Sequence, residues 1–173
     1  IDIEHYYNKY PYDKKYRWVW HMWGHYYLAA ASLAALGRTE FAARLPFALC
    51  GIFTVALLYV FVLRNWKSLF AATLAALLLT TSATFVVHTR QCRYYGLNML
   101  TYLLVVVTFI ELVKRPSWRW CVSWILSITA QFYTEFATFL MMLPGLLAAM
   151  LLMKARKQQM TAVLAGFGLV LLF

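Results

Sequence analysis

The sequence predicts an all-α protein, a polytopic bundle of membrane-spanning helices, and two observations carry that prediction. Of the 173 residues, 64% are hydrophobic and only 13% are charged, and the apolar runs are longer than one small core could hide. The Lys and Arg residues fall in short loops between these runs, as they do in loops that set membrane topology. The net charge of +10 therefore does not indicate nucleic-acid binding.

The N-terminal part, residues 1–44, is predicted to be an external loop that carries one short helix. An apolar segment over 26–36 stops at Gly37, a suitable residue for a helix C-terminus. As a helix it would rise only about 16 Å, roughly half of the hydrocarbon thickness. It is therefore predicted to lie along the membrane interface. Since the chain starts at Ile1 without Met and stops inside an apolar run, we expect it to be a piece of a longer protein.

Residues 45–173 are predicted to form the transmembrane region. Residues 120–153 contain a single charged residue, Glu135, so this stretch is expected to form two short crossings or a broken pair, with the turn near 131–135. The predicted spans are 45–63, 69–87, 94–113, a short pair over 118–153, and a run at 160–173 that is cut off.

The basic clusters predict which ends of the spans share a side. Clusters at 64–67, 114–119 and 154–157 satisfy the positive-inside rule if all three are cytoplasmic. The loop at 88–93 and the turn at 131–135 then face the opposite side. His21, Arg90 and Glu135 are thus predicted on one side, and Lys67, Arg115 and Arg156 on the other.

Arg90 and Arg93 lie in the most informative stretch of the chain. They are three residues apart, so they share a face if the preceding run stays helical, and two guanidinium groups on one face suit a phosphate. The alternative is that they are interfacial arginines reaching towards lipid headgroups. Their place on the side where topology disfavours positive charge favours the functional role.

The cysteines and histidines predict no metal site. Cys50, Cys92 and Cys121 show no pairing and no ligand spacing. His21 and His25 are four apart, which suits a metal on one helix face, but Gly24 weakens the helix between them. A divalent cation remains open as a cofactor.

Three stretches resemble the membrane-embedded GT-C glycosyltransferases of the protein mannosyltransferase and lipid A aminoarabinose transferase type. Residues 37–46, GRTEFAARLP, resemble the family's G-x-x-E-F-A-A-R-L-P turn before a transmembrane helix. Residues 89–97, TRQCRYYGL, are similar to an S-R-E/Q-A-R-x-Y-x-L stretch, and residues 131–136, QFYTEF, are similar to an L-Y-T-H-Y turn. Residues 21–27, HMWGHYY, lack the proline pair that many members carry there.

The resemblance implies an enzyme that moves a sugar from a polyprenyl-phosphate carrier to a lipid, glycan or protein acceptor. It further implies an integral protein of the bacterial plasma (inner) membrane whose active site faces outward. The family's catalytic carboxylate belongs to an Asp-Glu pair after the first transmembrane helix, and the nearest equivalent here is Asp2-Ile3-Glu4. Either Asp2 is the catalytic acid in a variant spacing, or the pair lies upstream of Ile1.

Each candidate residue is assigned a role in that reaction. Asp2 or Glu4 would deprotonate the acceptor, and the two arginines would hold the departing phosphate. Glu135 would cap a turn, pair with Arg90 or Arg93, or bind a ligand cation. Glu40 and Arg44, four apart, are expected to form an ordinary helix pair. The predicted substrate-binding residues are His21, His25, Arg90, Arg93, Tyr94 and Glu135.

Two other classes of function compete with this interpretation. A multi-pass secondary transporter or permease would use Arg90, Arg93 and Glu135 to line a path for an anionic solute, but the sequence shows no internal repeat. A non-catalytic membrane assembly subunit would not need polar residues from three loops on one face.

Overall fold

The computed structural model describes residues 22–152, with side chains as far as Ala149, and every regular element in that range is an α-helix. The prediction of an all-α membrane bundle is confirmed. The helices are α1 Gly24–Leu36, α2 Glu40–Trp66, α3 Leu69–Thr81, α4 Ala83–Thr89, α5 Tyr94–Lys114, α6 Trp118–Thr134 and α7 Phe136–Leu152.

Two of these helices, α2 and α5, are each long and apolar enough to cross a membrane. The α3 and α4 helices reach that length only together, and the chain bends by 66° between them. The range 69–87, predicted as one span, is therefore divided between two helices. The bend lies at Ser82, which is extended and whose hydroxyl accepts a hydrogen bond from the Phe85 N–H. This side-chain cap starts a new helix where the old one stops.

Only three residues separate the end of α1 from the start of α2, because each helix end has a suitable capping residue. Gly37 adopts a φ of 88°, which glycine tolerates without steric cost, and its N–H bonds the Leu33 carbonyl. Thr39 then accepts the Ala42 N–H at 3.1 Å, and Glu40 follows in the first turn of α2. The GRTEFAARLP stretch is thus already helical from Glu40 onward. The Ser32 hydroxyl donates to the Ala42 carbonyl at 2.6 Å, which fixes α1 against α2.

The densest core of the described residues lies between α5, α6 and α7. Its largest fully buried members are Trp124 and Phe139. At one end of α5 the Asn98 amide donates to the Thr138 hydroxyl of α7, and further along α5 Phe109 shares the same core cluster as Leu146. The α7 helix therefore runs in the same direction as α5, and α6 runs between them in the opposite direction. The chain reverses at Glu135.

The basic loops at the ends of α2 and α5 lie together. The Lys114 ammonium donates to the Asn65 side-chain oxygen, which joins the last turns of these two helices. The start of α5 and the end of α6 lie at the opposite end of the bundle, and α1 reaches them there. The bundle therefore has one end with basic loops and another end with the candidate site.

Candidate functional site

Three segments that are far apart in the sequence meet at the second end of the bundle. The His25 ring at the start of α1 lies 5.8 Å from the Tyr94 ring at the start of α5. Gly24 packs so closely on the end of α6 that an added Cβ would lie 2.7 Å from the Tyr133 carbonyl oxygen. The start of α1, the loop between α4 and α5, and the α6–α7 junction thus form one surface. The loop charges predicted that these segments lie on one side of the membrane, and the structure brings them to one end of the bundle.

The loop between α4 and α5 carries both arginines, but it does not place them on one helical turn. The α4 helix ends at Thr89, whose hydroxyl bonds the Phe85 carbonyl at 2.9 Å. Arg90 is the C-terminal cap of α4, and Arg93 is an extended residue that precedes α5. The condition under which the two arginines would share a helical face, that the run stays helical through both, is therefore not met. Both side chains are exposed.

Tyr94 is the residue around which the aromatic part of the site is built. Its ring lies 4.3 Å from the Tyr95 ring, and the Tyr95 ring lies 4.4 Å from the His88 ring. The Tyr94 hydroxyl is hydrogen bonded to Tyr95 and lies within electrostatic range of Arg93 and Glu135. Tyr94 therefore has one cation and one carboxylate within electrostatic range. This position suits a side chain that contacts a phosphate or a sugar.

Arg90 faces a different part of the site from the Tyr94 cluster. It lines a pocket of about 320 Å³ together with the first two turns of α2. That pocket also contains the Glu40–Arg44 ion pair, with an N–O distance of 3.1 Å, as expected for residues four apart on a helix. The sequence did not predict that this pair would share a pocket with Arg90, because the contact joins segments that are 46 residues apart.

Glu135 is half-buried in the one-residue break between α6 and α7. Its backbone is extended, and its N–H donates to the Gln131 carbonyl at 2.9 Å. Within residues 22–152 it forms no ion pair with Arg90 or Arg93, so that predicted pairing is absent from the described part of the chain. The negative charge of the Glu135 carboxylate instead lies within electrostatic range of the Tyr94 hydroxyl.

A polar network missed by sequence reasoning lies one turn below Glu135. Gln131 is fully buried, and its side-chain oxygen accepts the Thr101 hydroxyl at 2.7 Å while its amide donates to Asn98 at 2.6 Å. Asn98 in turn donates to Thr138 at 3.2 Å. These bonds join α5, α6 and α7 directly beneath Tyr94 and Glu135. The signal in the sequence was the pair of amide residues inside apolar runs, where an unpaired amide would be costly.

Of the remaining predicted residues, His25 is buried, with 6% of its surface exposed, and its ring lies 4.0 Å from that of Tyr26. Asp2, Glu4 and His21 lie outside the described residues. Between residues 22 and 152 no group of three or more His, Cys, Asp or Glu side chains is arranged to hold a metal ion.

Comparison with known families places this geometry in context. The family model for dolichyl-phosphate-mannose-protein mannosyltransferase matches residues 21–173. The chain belongs to this family. Neither the curated proteins nor the solved structures give a significant match.

Membership of the mannosyltransferase family confirms the predicted GT-C class. The protein is a membrane glycosyltransferase of a family that takes its sugar from a lipid-linked donor, and the match gives no support to a transporter. The matched region includes all seven helices of the described range. The surface that joins Tyr94, Arg90, Arg93 and Glu135 is therefore the candidate site for that chemistry.

Proposed function

We propose that the protein transfers a sugar from a polyprenyl-phosphate donor to a lipid, glycan or protein acceptor at the external face of the bacterial plasma (inner) membrane. The observation that supports this proposal is the convergence of Arg90, Arg93, Tyr94 and Glu135 at one end of an apolar bundle. A lipid phosphate placed there would meet guanidinium groups at the interface while its chain remained among apolar helices.

Arg90 and Arg93 are proposed to bind the phosphate that leaves when the bond to the sugar breaks. Negative charge grows on that phosphate in the transition state, and charge-assisted hydrogen bonds from planar guanidinium groups stabilise it there. Neither arginine forms an ion pair within residues 22–152, so their charge is not used by another side chain of that range. The Tyr94 hydroxyl, beside Arg93, is proposed to bond the same phosphate or the sugar.

The acceptor must lose a proton as the new bond forms, and a carboxylate is the base proposed for that step. Asp2 or Glu4 fills the role if the family's Asp-Glu pair is the Asp2-Ile3-Glu4 stretch, and an upstream pair fills it otherwise. His21, His25 and Glu135 are proposed to contact the sugar. Of these, His25 and Glu135 both flank Tyr94.

The test is sugar transfer from a polyprenyl-phosphate donor by the protein in lipid nanodiscs. Arg93→Ala should lower turnover by about 30- to 1,000-fold, or about 2–4 kcal/mol in the transition state. Arg93→Lys should recover only part of the loss, because an ammonium cannot reproduce the planar fork. Arg115→Ala is the matched control, because Arg115 is an exposed arginine at the opposite end of the bundle.

The proposal fails if Arg90→Ala and Arg93→Ala both keep wild-type turnover and donor affinity at equal thermal stability. The two arginines would then be interfacial anchors only.

The outward orientation has its own test, because Cys92 is exposed in the arginine loop. A membrane-impermeant thiol reagent added to intact cells should label Cys92. A Lys67→Cys variant in a Cys92→Ser background should stay unlabelled until the membrane is opened. Labelling of both positions from the same side would contradict the proposed orientation.

A further inference from the structure

The cleft between α2 and the bent α3–α4 pair has the dimensions of a chain-binding groove. It encloses about 620 Å³ and extends along α2 from Ala48 to Val60. That distance corresponds to about 18 Å of helix, more than half of the roughly 30 Å hydrocarbon layer. The 66° bend at Ser82 brings α4 across the Ala48 end of the cleft, where Thr89 contacts Gly51.

The walls of the cleft are suited to hydrocarbon. Apart from Tyr59, its polar lining side chains are Thr80 and Thr89. Both hydroxyls donate at 2.9 Å to carbonyls of their own helices. They therefore offer no donor to a ligand. A sugar or an ion would lose its hydration in this cleft with only the Tyr59 hydroxyl to compensate, whereas an apolar chain has no such cost. The space exists because small residues such as Ala56 and Ala76 face each other across it.

The mouth of the cleft is suited to an anion. Ala48 lines both the cleft and the 320 Å³ pocket that contains Arg44 and Arg90, so the two cavities are adjacent. Thr89 of the cleft is followed directly by Arg90 of the pocket. Two guanidinium groups and one carboxylate, that of Glu40, give this mouth a net positive charge. The combined shape matches an amphiphile with an anionic head and a long apolar tail.

We propose that this cleft binds the isoprenoid chain of a lipid phosphate, with Arg44 as a further contact for the phosphate that Arg90 holds. This inference rests on the proposed lipid-linked donor and deepens it, because it assigns the chain a groove and gives Arg44 a role in donor binding. An ordinary phospholipid in the cleft, or another segment of the protein covering it, would be a different occupant.

The direct test uses a polyprenyl phosphate that carries a diazirine at the far end of its chain and no sugar. With the protein in nanodiscs, crosslinks should map to the cleft-lining part of α2, and excess unlabelled polyprenyl phosphate should compete whereas phosphatidylglycerol should not. Ala56→Phe and Ala76→Phe fill the cleft and should each lower the labelling about tenfold. Ala148→Phe is the matched control, because Ala148 is exposed on α7 and lines neither cavity.

A kinetic test separates the chain from the phosphate. Ala56→Phe should raise the KM for a long-chain polyprenyl-phosphate sugar about tenfold and leave the KM for a citronellyl-phosphate sugar unchanged. Arg44→Ala should raise both KM values, since both donors carry the phosphate.

The outcomes distinguish this inference from the proposed function. Equal competition by phosphatidylglycerol, or crosslinks spread over lipid-facing helices in every variant, would overturn the assignment of the cleft. Absence of crosslinks in the cleft while sugar transfer proceeds would overturn it as well. Crosslinking in the cleft without any transfer would overturn the proposed function and support the lipid site.

Discussion

Two contacts in the bundle, the closed side among α5, α6 and α7 and the open side between α2 and the α3–α4 pair, are both built from apolar residues but differ in how completely they close. On the closed side, large side chains fill the contact, and Trp124 has 0% of its surface exposed. On the open side, Gly51, Ala56 and Ala76 are among the residues that line a cleft of about 620 Å³. Apolar composition makes a membrane helix, but side-chain size at the contact decides whether helices close on one another or leave space for a ligand.

Polar groups follow the same division. On the closed side, Gln131, Asn98, Thr101 and Thr138 bond one another, and little remains for a ligand. At the mouth of the open side, Arg90 has no ion-pair partner within residues 22–152. The closed side therefore stabilises the bundle, and the open side carries the polar group that can bind a ligand.

The largest expected effect on stability comes from removing a large buried side chain from the closed side. Trp124→Ala should lower the free energy of unfolding by about 3–5 kcal/mol, because the surrounding core cannot collapse into the space. Leu126 lies two residues further along α6 and has 64% of its surface exposed, so Leu126→Ala should change the free energy of unfolding by less than about 1 kcal/mol. Thermal or denaturant unfolding in detergent micelles measures both. Equal losses for the two variants would mean that the α5–α6–α7 contact is not a packed core.

The next largest effect is expected from adding a methyl group at Gly51, where α2 contacts Thr89 at the end of α4. A Cβ at Gly51 would lie 2.8 Å from the Thr89 methyl group, so Gly51→Ala should cost about 1–3 kcal/mol of unfolding free energy. Adding Thr89→Ser removes that methyl group and should restore part of the loss, because the Thr89 Cβ at 2.9 Å remains. Gly145→Ala is the control, since nothing lies within 4 Å of its added Cβ. If the double variant is no more stable than Gly51→Ala alone, the clash is not with Thr89.

Breaking the polar network should have a smaller effect. Gln131→Leu removes the bonds to Thr101 and Asn98, and an interhelical hydrogen bond in a membrane is worth only about 1 kcal/mol. A double-mutant cycle with Thr101→Val should show a coupling free energy of similar size. A coupling near zero would mean that the two side chains contribute independently.

The smallest effect is expected at the mouth of the open side. The Glu40–Arg44 pair is largely exposed, so Glu40→Gln should change the free energy of unfolding by about 0.2–1 kcal/mol. The change should shrink further at high salt, because screening weakens exposed ion pairs. A loss of several kcal/mol that is insensitive to salt would show that the pair holds α2 in place.

The helical class and most helix positions were predictable from the sequence, because they depend on local features. Long apolar runs between basic loops indicate spans whatever their neighbours are. Gly37 and Thr39 supply the caps that separate α1 from α2, and these act within one turn of chain. The place of Arg90, Arg93 and Glu135 at one end of the bundle also followed, because span direction alternates along the chain.

The sequence by itself therefore determined a polytopic α-helical membrane protein with cationic and acidic side chains collected at one end. Only the tertiary structure decided which of those side chains are neighbours. Arg90 shares a pocket with Arg44, Tyr94 lies within range of Glu135, and Gln131 bonds Asn98. Each of these relations joins different helices, so it depends on helix rotation and on the bend at Ser82. Those are set by packing between segments, which periodicity and charge along the chain do not encode.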